Sequence, residues 1–134
     1  MLLCADMFAQ YLKSKNFNFS TKDLENGETL IDFPYQGKLF RCFFSGENGK
    51  YLSLYLVYEK VPEDKFMDAL LLCNQINTEY KWVTAFVNKN SDFVFHDDAI
   101  LSLENAADES FELLARMISM SDGLKPSIMK MIYA

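Results

Sequence analysis

The chain has 134 residues, half of them hydrophobic and 15% aromatic, which is enough for one domain with a sizeable core. Its 13 basic and 19 acidic residues leave a net charge of −6. That balance argues against nucleic acid and against an anionic membrane surface, because both are held by clustered Lys and Arg.

In chain order, residues 1–16 have helical spacing, with Leu3, Met7, Phe8, Tyr11 and Leu12 on one side and Asn16 as a stop. A loose strand follows over residues 17–24, then a turn at Glu25-Asn26-Gly27-Glu28. Thr29, Ile31 and Phe33 alternate until Pro34, which is expected to end the run. After a second turn at residues 35–38, residues 39–44 form a strand. Phe40, Cys42 and Phe44 share one of its faces, and Leu39, Arg41 and Phe43 share the other. Ser45-Gly46-Glu47-Asn48-Gly49 reads as a hairpin loop.

The returning strand, 51–61, is apolar on both faces. Leu52, Leu54, Leu56 and Tyr58 lie on one side, with Tyr51, Ser53, Tyr55 and Val57 on the other. Such a strand needs two covers: the leucine face is expected to meet helices, and the tyrosine face a second layer, another subunit or partial solvent. Pro62 stops it and opens a helix, with Glu63 and Asp64 in the first turn. Phe66, Ala69, Leu70, Cys73, Ile76 and Asn77 form the stripe of that helix, which Leu71 and Leu72 widen. A hairpin follows: a strand over 82–87, a turn at 89–92 and a strand over 93–102, with Trp82 expected in the core. Asn105 is a plausible N-cap for the next helix, in which Glu112 and Arg116 form an i,i+4 pair. Ser121-Asp122-Gly123 is expected to break that helix, leaving a short terminal one over 124–133.

This order gives a single α+β domain over 1–134, with helices packed on an antiparallel sheet. No apolar run approaches the roughly 20 residues that span a bilayer. MLLCADMF lacks the basic region and long apolar stretch of an export signal, so a cytoplasmic location is expected. Cys4, Cys42 and Cys73 sit in apolar runs, which suits reduced, buried thiols.

No catalytic, cofactor or metal site emerges. In a strand, His96 and Asp98 of His96-Asp97-Asp98 share a face, but two ligands are too few for a closed zinc site. The bland alternative is a polar strand near a sheet edge. The only His is also the only base for a Cys/His pair, and the cysteine surroundings suit inert packing. No Gly-rich loop precedes a helix. Asn74 and Asn77 share one side of their helix and suit backbone satisfaction near its end. The charges around Pro62 read as a solvated helix start. The aromatic set Phe40, Phe44, Tyr51 and Tyr55 falls on paired strands and is the candidate partner surface; either helices cover it or it stays exposed as an interface.

The residue pattern also resembles the bacterial YbjN domain family. The resemblance rests on Asp32-Phe33-Pro34-Tyr35, on Tyr51-Leu52-Ser53-Leu54 leading into Glu59-Lys60-Val61-Pro62, on Cys73-Asn74-Gln75-Ile76-Asn77 and on Tyr80-Lys81-Trp82. It runs over nearly the whole chain. It implies a fold similar to type III secretion chaperones, in the order α-β-β-β-α-β-β-α with about five strands. It implies a sensory-transduction regulator with no established activity, and no site residues. Chaperones of the similar fold are small, acidic and dimeric, and bind extended client segments. The function expected is therefore non-enzymatic binding of another protein, of a second copy as a homodimer, or of both. The alternative is a small-molecule sensor with a pocket between sheet and helices.

Overall fold

The computed structural model describes residues 1–134. In chain order the elements are α1 (Leu3–Ser14), β1 (Ser20–Asp23), β2 (Thr29–Tyr35), β3 (Lys38–Ser45), β4 (Tyr51–Lys60), α2 (Phe66–Glu79), β5 (Thr84–Val87), β6 (Asp92–Ile100) and α3 (Ala106–Tyr133). The strands form one antiparallel sheet in the order β1-β2-β3-β4-β6-β5. It has six strands instead of about five, because the early segment divides into β1 and β2 around the 24–28 turn.

Register decides what each face carries. Phe40 pairs with Leu56, Cys42 with Leu54 and Phe44 with Leu52. On one side these pair with Phe33, Ile31 and Thr29 of β2; on the other, Leu56 and Leu52 face Phe95 and Ala99 of β6. This face is buried under Phe8 and Leu12 of α1 and Leu114, Met117, Ile128 and Ile132 of α3. Burying side chains of this size is the main stabilising term of the fold. The start of α1 is tied to the sheet: the Leu2 N–H donates to Thr29 Oγ1 at 3.0 Å, and Thr29 Oγ1 donates to Asp23 Oδ1 at 3.0 Å.

Two stop signals do not stop their elements. Pro34 lies inside β2, which runs on to Tyr35. β1 pairs only with Thr29 to Asp32, so Pro34 stands beyond the end of β1, where β2 is locally an edge. The chain then reverses through Gln36 and Gly37, both at positive φ (50° and 76°), as a two-residue hairpin requires. Likewise α3 is one helix through Gly123 and Pro126. Its buried positions Leu114, Met117, Ser121, Leu124, Ile128 and Ile132 keep one helical stripe across both residues. Packing of that stripe outweighs the local cost of Gly and Pro. Asn105 flanks α3 without a side-chain cap. Instead, Glu109 Oε1 accepts from the Ser102 N–H at 2.8 Å and from its hydroxyl at 2.9 Å.

Helix α2 packs against the β5 end of the sheet and buries only Ala69, Cys73 and Ile76. Cys4, Cys42 and Cys73 are free and buried. Burial pushes the Cys73 thiol up to about 11 and the Cys42 thiol further.

Candidate functional site

The second sheet face has no helix on it. Its side chains follow from the same register, shifted by one residue. One row across the strands reads Asp32, Arg41, Tyr55, His96, Thr84. A neighbouring row reads Leu30, Phe43, Ser53, Asp98; another reads Pro34, Leu39, Val57, Val94, Phe86. Aromatic and aliphatic groups therefore stand on a face that carries no second layer.

Tyr55 is the centre of this face. Its ring stacks on His96 at 4.6 Å and 19°, and makes edge contacts with Phe43 at 5.8 Å and with Phe86 at 6.5 Å. Burial, then the charges of Asp98 and Glu28, push its hydroxyl above the usual tyrosine range. Beside it, Arg41 is held by Asp32 through Nε at 3.0 Å and Nη2 at 3.4 Å, which fixes the guanidinium and cancels its charge locally. His96 Nε2 lies 2.9 Å from Asp98 Oδ1. Glu28, Arg41, Phe43, Ser53, Tyr55, Val57, Phe86, Asn88 and Val94 line an open trough of about 460 Å³. A second depression, lined by Tyr51, Asp98 and Ile100, meets it at Ser53.

The four candidate residues do not form one patch. Tyr51 and Tyr55 lie on the open face, and Tyr51 is 54% exposed. Phe40 and Phe44 point the other way and are 1% and 0% exposed. The correction is one of parity: Phe44 lies opposite Leu52, not Tyr51, so it belongs with the leucines. The true neighbours of Tyr55 are Phe43, Val57, Phe86 and His96. Alternation within 39–44 already placed Phe43 apart from Phe40; only the β3–β4 register assigns it to the tyrosine side.

Trp82 is not core. It precedes β5 and is 70% exposed. The stripe of α2 is also only partly inward: Phe66 and Leu70 are exposed, and Met67 and Leu71 are 67% and 66% exposed. These four lie at i,i+4 spacings and form an uncovered apolar flank beside the sheet.

Asn77 has a specific task. Its Nδ2 donates to the Ala85 carbonyl at 3.0 Å and its Oδ1 accepts the Ala85 N–H at 2.7 Å. The side chain thus imitates one residue of a neighbouring strand and closes part of the β5 edge.

His96 and Asp98 face the open side, while Asp97 sits opposite Leu54 beneath the helices. Burial raises the Asp97 carboxyl, with a hydrogen bond from the Asp98 backbone and the charges of His96 and Arg116 opposing in part. No three His, Cys, Asp or Glu side chains gather as a metal-binding group. No helix is long and apolar enough to cross a membrane.

The family model of YbjN, described as "Putative bacterial sensory transduction regulator", matches residues 5–123. The chain belongs to the YbjN family. No curated protein matches it in sequence. Among solved structures it is similar to the Yersinia pestis type III secretion chaperone SycH, crystallised in complex with a stable fragment of YscM2. That similarity has a TM-score of 0.52 at 8% identity and covers 90% of this chain and 98% of that one. At that identity the likeness speaks for the fold: this YbjN chain has the α+β architecture of a type III secretion chaperone.

Proposed function

We propose that this YbjN protein is a non-enzymatic binding domain of the cytoplasm, chaperone-like or regulatory, that holds another protein on its open sheet face. One observation carries the reading: a six-stranded sheet has α1 and α3 on one face and α2 at its β5 end, and Tyr55, Phe43, Val57, Leu39 and Phe86 on the other face. An uncovered surface of this kind is typical of an interaction site. The SycH structure, with a protein fragment bound to the similar fold, supports the same direction. Three free, buried cysteines suit a reducing compartment.

The protein acts as a homodimer through the second uncovered surface, the α2 flank of Phe66, Met67, Leu70 and Leu71. Using separate surfaces leaves the sheet face of each copy available. The sensor alternative has the ligand-sized trough in its favour, but the trough is open along the sheet and not enclosed between sheet and helices.

The test is affinity capture from the native cell with three baits: the unaltered chain, Tyr55→Glu and Leu71→Glu. Light scattering is run on each. A protein lost only with Tyr55→Glu, and a dimer lost only with Leu71→Glu, is the expected outcome. Monomers throughout would remove the dimer. Capture unaffected by Tyr55→Glu would remove the open-face site.

A further inference from the structure

We propose, resting on the open-face reading above, that the occupant of the trough is a partner-protein segment with a defined chemistry: apolar side chains set on Phe43, Tyr55, Val57 and Phe86, and one basic side chain delivered to Glu28.

The charges of the face carry this. Arg41 is neutralised by its two contacts with Asp32. Glu28 lines the trough; its carboxylate accepts only from the Asn26 side-chain amide, while its own backbone N–H donates to Asn26 Oδ1, and no cation meets it. Asp98, at the Ser53 junction with the neighbouring depression, has only His96. Lys22 stands in the same row on β1 and makes no ion pair with either acid. The trough is thus an aromatic and aliphatic floor with uncompensated negative charge at its margin.

The Tyr55 hydroxyl is a further acceptor there. It lies in the field of Asp98 and Glu28, on the ring that the other aromatic groups of the trough surround. A cationic N–H donor in the trough supplies the counter-charge that the Glu28 carboxylate lacks. Aromatic rings beside a carboxylate also favour a cation through their π-faces.

A second copy of this chain does not meet the requirement. Each copy carries a net charge of −6, so pairing two open faces would bring two acidic molecules together.

The test uses two short synthetic amphipathic peptides with an identical Leu/Phe stripe, one with Lys and one with Glu beside the stripe. Each is titrated into the full chain labelled with ¹⁵N, following amide shifts. The Lys peptide is expected to shift amides of β3, β4 and β6 and to bind roughly tenfold more tightly, the size of one charge-assisted hydrogen bond. Glu28→Gln should bring the two affinities together, with an unchanged melting temperature. If both peptides bind the open face equally, the basic preference is wrong and the open-face reading survives. If neither shifts the sheet amides, or both shift only α2, both readings fall.

Discussion

The two faces of the sheet are built from the same strands and differ in nearly everything else. Along β4, Leu52, Leu54 and Leu56 are closed off by α1 and α3, while Tyr51, Ser53, Tyr55 and Val57 alternate with them and meet no helix. On the covered side the apolar residues interlock with side chains from every layer. On the open side they meet one another, through ring contacts between 4.6 and 6.5 Å, and then end. Similar residue types therefore do different work: the first set holds the fold together, and the second remains available to something outside it.

The sharpest way to break that comparison is to truncate neighbouring phenylalanines. Phe44→Ala, on the covered face, is expected to cost about 3–5 kcal/mol in urea unfolding, because it leaves a cavity against Leu52 and Phe8. The edge strand comes next. Asn77→Ala strands the Ala85 N–H and carbonyl and should cost about 1–3 kcal/mol, with faster hydrogen exchange confined to β5. Phe43→Ala, one residue from Phe44 but on the open face, should cost at most about 1 kcal/mol. Similar losses for Phe43 and Phe44 would mean that the open face is structural.

The smallest effect separates two adjacent acids. Asp97 lies under the helices with its carboxyl raised by burial, so the folded state holds a proton more tightly there than the unfolded chain does. Stability from this group is present at low pH and falls as pH rises through the raised value. Asp97→Asn should therefore stabilise the protein at neutral pH, within a few tenths of a kcal/mol given its partial exposure. The gain should vanish towards pH 4. Asp98→Asn, on the exposed side, should leave the melting profile nearly unchanged. Equal responses from the two acids would place them in equivalent surroundings and contradict the register.

Much of this arrangement was legible in the residues. The two-faced strand after Gly49, the Pro62 corner, the turn at residues 35–38 and the helix carrying the Glu112–Arg116 pair all follow from local pattern. The i,i+4 contact forms at 2.7 Å. The errors came where a local signal competed with a longer-range one. Pro34 is tolerated because β1 ends before it, and Ser121-Asp122-Gly123 does not break α3 because a buried stripe continues past it. Trp82 from its residue type, and Phe66, Leu70 and Leu71 from their helical spacing, read as inward-facing, since nothing local says that no further layer lies beyond them.

Period-two alternation in the sequence divided β3 and β4 into their faces, because a strand cannot do otherwise. It could not say which half of β3 meets which half of β4. That depended on the register, which the buried leucines and phenylalanines fix together. It did point the leucine face towards helices, but it could not say whether anything covers the tyrosine face, which carries enough apolar surface to attract a layer of its own. Docking of α1 and α3 on the leucine side decided it, and so left Tyr55 and its neighbours on the side where a partner can reach them.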